Sequence, residues 1–115
     1  MNTQLDLSQF YGTEAYHRTN MFVPQLVHTD GVNYFANEAK AWWFLDIVAS
    51  EHYPLMKKHG FVSIKLHAND GKADIVAEDG DLNVLAKKHL AFTDCPSGDY
   101  TFFLVDNVLM LTQEY

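Results

Sequence analysis

Apolar residues recur at helical spacing up to Gly60 and alternate every second position beyond it. In "HTDGVNYFANEAKAWWFLDIVAS", Thr29 and Asp30 each carry an oxygen able to cap a helix start. The spacing that follows predicts one long helix over residues 32–50. "SEHYPLMKKHG" predicts a break at Pro54, a short helical turn and a stop at Gly60. Upstream, "LDLSQFYG" reads as a short helix ending at Gly12, and "MFVPQLVH" as an extended edge segment limited by Pro24.

Past Gly60, "FVSIKLH" sets Val62, Ile64 and Leu66 on one face, and "ANDG" is a hairpin turn signal. "KADIVAE" continues the alternation to a second turn at "EDGD". "LNVLAKKHLAF" places Leu82, Val84, Ala86, Leu90 and Phe92 on one face, with Lys88 as the misfit. "YTFFLV" and "VLMLTQEY", joined at Asp106-Asn107, predict a final hairpin. The expected class is α+β: N-terminal helices, then a long helix packed on an antiparallel meander of about five strands. A chain of 115 residues makes this one domain, 1–115.

One residue interrupts the helical pattern. On a wheel of about 100° per residue, Asn33, Asn37, Lys40 and Glu51 mark the wet stripe of the predicted helix, and Asp46 falls roughly opposite. A carboxylate buried there must find donors or take a proton. The expectation is a buried structural acid that pins the helix. The competing expectation is a raised-pKa group in a pocket, near a histidine or Tyr16.

Charge narrows the partner classes. Fifteen acids against eight bases give a net charge of −7, which repels phosphate backbones, and no basic patch offsets it. Direct nucleic-acid binding is not expected. No apolar run reaches the ~18 residues of a membrane span, and a lone cysteine, Cys95, cannot close an internal disulfide. A cytoplasmic protein without membrane contact is expected. Five acids, Asp70, Asp74, Glu78, Asp79 and Asp81, come close together around the second predicted strand. They read either as solvated turns or as a negative face that docks on a basic partner.

Other chemistry is thin. The six histidines show no HExxH pairing and no Cys/His cluster, so no metal is expected. The glycines stand singly, without a phosphate-binding loop, and no cofactor motif appears. Each histidine is expected at the surface or a helix end, and Cys95 in a loop without a role. Of Trp42 and Trp43, core is the expected place for both.

"YGTEAYHRTN", "HTDGVNYFANEAKAWWFLDIVAS" and "FTDCPSGDYTFFLVDNVLMLTQEY" together resemble a family of small bacterial proteins of unknown function. The matching positions are Thr29, Asp30, Gly31, Val32, Trp42, Trp43, Asp46, Glu114 and Tyr115. The resemblance implies no established activity. Because its members look common on prophages and other mobile elements, it implies an accessory or counter-defence role, such as an anti-CRISPR inhibitor. The expected function is therefore an acidic, non-enzymatic protein-binding module. It would occupy a basic surface of a host protein or nucleoprotein complex through Asp70, Asp74, Glu78, Asp79 and Asp81. The alternative is a small hydrolase-like or ligand-binding protein with Asp46 in a pocket.

Overall fold

Helices cover one face of a seven-stranded sheet in the computed structural model, which describes residues 4–115. Two short strands, β1 (His17–Arg18) and β2 (Val27–His28), precede α1 (Asp30–Glu38), α2 (Trp42–Ile47), a π-helical turn (Val48–His52) and α3 (Tyr53–His59). Then come β3 (Phe61–Asn69), β4 (Lys72–Glu78), β5 (Val84–Leu90), β6 (Gly98–Val105) and β7 (Val108–Leu111), closed by a 3-10 turn, Thr112–Glu114. The class is α+β. No helix lies before β1 among the described residues, so the turn signals around Gly12 terminate no helix.

The predicted long helix is broken twice. Lys40 adopts a left-handed φ of 53°, and the Ala41 N–H donates to the Ala36 carbonyl at 2.8 Å, the six-to-one closure of a Schellman turn. Glycine usually holds that left-handed position, so lysine there hides the stop. The second irregularity is the π turn, in which the Tyr53 N–H reaches back to the Val48 carbonyl. Pro54 has no N–H, and its ring would crowd the carbonyl four residues earlier in a regular helix. The widened turn accommodates it within the first turn of α3. Pro54 therefore ends nothing, and the stop comes at Gly60, with φ 85°.

The sheet is not a simple meander. Its order is β1-β2-β7-β6-β3-β4-β5, antiparallel except for the β2–β7 pair. After β5 the chain crosses back through residues 91–97 and places β6 against β3. The apolar strands β3 and β6 thus lie inside the sheet. β5, with Lys87 and Lys88, takes an edge, where unpaired backbone faces solvent and lysine discourages further pairing. Leu82, Val84 and Phe92 do not share a buried face; they are 73%, 50% and 92% exposed. A bulge between Ala77 and Glu78 shifts the β4–β5 register. It turns Val84 to the open face opposite Glu78, while Lys88 stays on the helix-facing side opposite Ile75, where its ammonium meets Glu51 at 2.9 Å.

Phe35, Phe44 and Phe102 pack edge-on and tilted at the centre, with ring centroids 4.8 to 6.1 Å apart. Fully burying a residue of this size contributes roughly 1.5–3 kcal/mol. The residue 91–97 crossover brings Cys95 into this core, and burial pushes its thiol up to about 11. Trp43 is half-buried and Trp42 is 45% exposed, so neither indole is core.

Two histidines are interior rather than superficial: His28 is 1% and His52 2% exposed. His52 closes the π turn with no hydrogen-bond partner at its buried Nδ1 among the described residues. Burial holds its pKa down at about 4, against an ordinary 6.5. The unfolded chain therefore binds a proton that the folded chain refuses between those values. Stability is fully present above about pH 6.5 and falls as pH drops towards 4, by about 3 kcal/mol from this residue. Urea melts from pH 7.5 to 4.5 are expected to show that decline, and His52→Leu to flatten it; an equally steep decline in the variant contradicts the assignment.

Candidate functional site

Three stretches distant in sequence meet at the start of α1. Thr29 is the N-cap, its hydroxyl accepting from the Val32 N–H at 3.4 Å. The same hydroxyl donates to Glu114 Oε1 at 2.6 Å. Glu114 also accepts from the N–H of Leu111 at 3.0 Å and of Gly31 at 3.3 Å. Gly31 leaves the necessary room. A Cβ there would sit 2.5 Å from the Leu111 side chain and 2.8 Å from Glu114 Oε1. Val32 goes into the core, at 0% exposed.

Asp30 completes the tetrapeptide "TDGV" and faces the first strand. Its Oδ1 meets His17 Nε2 at 2.8 Å and its Oδ2 accepts from the Glu14 N–H at 2.9 Å. The His17 bond first, then the Glu14 bond, hold the Asp30 carboxyl below the usual range. The Asp30 N–H donates to the Thr13 hydroxyl at 2.9 Å. Behind this pair lies His28, directly opposite His17 in the β1–β2 ribbon and stacked on it at 5.3 Å. His28 Nδ1 bonds the Thr19 hydroxyl and Nε2 the Asn33 side-chain oxygen, each at 3.0 Å. Burial lowers its pKa; the Asn33 bond opposes that shift and the nearby His17 adds to it. His28 is a neutral, fixed support, and His17 and Asp30 are the accessible pair.

Beyond His28, Trp42 approaches edge-on at 6.1 Å. Asp46 follows one turn later on the same face of α2 and accepts from the Asn20 amide at 3.1 Å. Asp46 is exposed, not buried. The Schellman turn at Lys40 resets the helical phase of α2 relative to α1, so Asp46 does not fall opposite the wet stripe as one continuous helix would place it. Tyr16 is likewise exposed, at 62%, and forms no pocket with Asp46.

This arrangement restricts the chemistry available. The N–H groups of Asp30, Gly31 and Val32 are taken by Thr13, Glu114 and Thr29, so none is free to receive an anion. Among the described residues, no three His, Cys, Asp or Glu side chains are grouped to hold a metal ion. What remains open is a mixed surface. The Met21-Phe22 turn is 75% and 85% exposed and is joined through Asn20 to Asp46, one helical turn from the 45% exposed Trp42.

The five acids around β4 do not come together. Asp70 lies in the β3–β4 turn, while Asp79 and Asp81 lie past the other end of β4, roughly 23 Å away at ~3.3 Å per strand residue. Asp74 bonds His89 at 2.7 Å, and Glu78, 13% exposed, pairs with Lys65 at 3.0 Å. Asp79 is occupied by the N–H groups of Asp81 and Asn83 and by the Asn83 amide. Of these five, only Asp70 and Asp81 carry carboxylates without a partner among the described residues.

The architecture defines a two-layer α+β domain whose polar cluster is built around the α1 cap. The chain belongs to a family of unknown function (DUF6876), whose family model matches residues 1–115. No curated protein and no solved structure matches it. Among the described residues, no helix is long and apolar enough to cross a membrane.

Two stability outcomes follow from this geometry. Glu114→Ala strands three donors and is expected to cost about 1–3 kcal/mol in urea melts, with Glu114→Gln closer to wild type; wild-type stability in the alanine variant contradicts the cap. Asp46→Ala is expected within about 0.5 kcal/mol of wild type, and a loss of several times that restores Asp46 as an anchor.

Proposed function

We propose that the protein is a non-enzymatic, acidic binding module that occupies a basic surface of a partner protein. The observation that carries this reading is the exposure of Met21, Phe22 and Trp42, with Asn20 linking the Met21-Phe22 turn to the Asp46 carboxylate one helical turn from Trp42. Exposed aromatic and methionine side chains are enriched at recognition surfaces. A carboxylate among them favours cationic side chains over the acceptor-rich surface of a nucleic acid, and aromatic faces attract the same cations. A net charge of −7 adds long-range attraction to a basic partner. The dispersed acids of β4 contribute to that far field, whereas the contact surface is the one around α2.

The finer reading is an accessory inhibitor of a host nucleic-acid-handling complex, as a phage or mobile element would carry. It rests on the family resemblance and on the acidic surface, and it places the target among proteins that themselves expose basic channels. An anti-CRISPR-like role is one form of it.

Immobilised protein incubated with nuclease-treated bacterial lysate tests both levels. Capture of a basic protein complex is expected at low salt and loss of it at about 0.5 M salt, where charges are screened within a few ångströms. Met21→Ser with Phe22→Ser removes apolar surface that packs on nothing inside the fold. It is expected to weaken capture at least tenfold, about 1.4 kcal/mol. Undiminished capture by that variant sinks this contact surface, and capture that disappears with nuclease sinks the protein-partner reading.

A further inference from the structure

The helix-free face of the sheet carries a pattern that the cluster at α1 does not use. Directly opposed residues form rungs across β5, β4, β3 and β6. One rung reads His89, Asp74, His67, Asp99, with imidazole and carboxylate in alternation. Inside it, His89 Nδ1 meets Asp74 Oδ1 at 2.7 Å and His67 Nδ1 meets Asp99 Oδ1 at 2.5 Å. All four side chains remain between 56% and 81% exposed. The next rung reads Lys87, Val76, Lys65, Thr101, and the third Val84, Glu78, Ser63, Phe103.

An alternating row of four is its own complement. Consider a two-fold axis lying over the face, parallel to the strands, midway between β3 and β4. Rotation about it reverses strand order and keeps each rung at its level. His89 then faces Asp99 of the second copy, and Asp74 faces His67. In the third rung Val84 faces Phe103, which gives the half-exposed Val84 an apolar cover. We propose that the protein forms a two-fold dimer through this open sheet face, the occupant being a second copy of the chain. The interface is isologous, each residue meeting its counterpart's partner twice.

Charge favours that occupant. The chain carries −7 overall, so most pairs of surfaces from two copies repel. On this face Lys65, Lys72 and Lys87 balance Asp74, Glu78 and Asp99, the repulsion is absent, and the histidines add donors. The four overlapping strands, about 4.8 Å apart and about seven residues long, give a footprint of roughly 19 by 24 Å. That is below the ~800 Å² of accessible surface per partner typical of stable complexes, so the association expected is a weak one. Aligned packing of two sheets about 10 Å apart is an ordinary arrangement for such faces.

Sedimentation velocity of the full chain decides, run up to about 100 μM. Wild type is expected at twice the 13.1 kDa chain mass. Asp74→Lys with Asp99→Lys makes the rung wholly basic and is expected to weaken association at least about tenfold. The fourfold exchange His67→Asp, Asp74→His, His89→Asp and Asp99→His keeps the alternation and is expected to dimerise within about threefold of wild type. Thermal melts check that each variant is folded. A wild type that stays monomeric overturns the proposal, and so does a double variant that dimerises as tightly as wild type. A folded fourfold variant that stays monomeric overturns the complementarity argument that carries it.

Discussion

The carboxylate of Glu114 holds together elements that have little else in common. It joins the helix cap at Thr29, the close-packed backbone at Gly31 and the end of β7 at Leu111. Charge-assisted hydrogen bonds of this kind are roughly twice as strong as neutral ones, and a negative charge at a helix N-terminus gains further from the helix dipole. The direction of α1 is thereby fixed against the sheet. Asp30, the next residue, can point only towards β1, and His17 meets it there. The β2–β7 parallel pair runs beside the same junction, with the Thr29 N–H donating to the Leu109 carbonyl. Loss of Glu114 would loosen the cap, the ribbon and the accessible His17–Asp30 pair together.

Much of this was legible residue by residue. A helix start at Thr29-Asp30 needed only a capping oxygen and the apolar spacing behind it, and of the two Thr29 is the cap. The β3–β4 hairpin followed from "ANDG", and Asp70 and Gly71 adopt the positive φ values that such a turn requires. The kinked helix was not legible, because a lysine stands where a glycine would announce the Schellman turn. Two-residue strands such as β1 and β2 are too short to show any period. The acids of β4 looked clustered because they are near in sequence, but an extended strand separates residues by over 3 Å each and neighbouring strands supply bases. Contacts between Glu114 and Thr29 or Gly31 span more than eighty residues, and no local pattern encodes them.

The two faces of the sheet answer different demands. Helix-facing positions of β3 to β7 are apolar apart from Lys88, which escapes to Glu51 at the margin, while β1 and β2 place His17 and His28 there against α1. Open-face positions pair acid with base across strands, the sheet counterpart of helix charge pairs. Individual exposed pairs of this type contribute little to stability, typically below ~1 kcal/mol. Their arrangement matters more for what may approach the face than for holding the strands together. The same reasoning sets the α2 surface apart, since Met21 and Phe22 are held in the open with no internal role to explain them.

Cys95 gives the crossover between β5 and β6 a built-in clock. A thiol reacts with most reagents only as thiolate, and burial both raises its pKa to about 11 and walls it from solvent. Its modification therefore waits on the segment lifting away from the core. That segment is also what allows β6 to insert beside β3 rather than beside β5. Thiol reactivity thus counts the openings of the one connection on which the strand order depends, separately from fraying at the sheet edges.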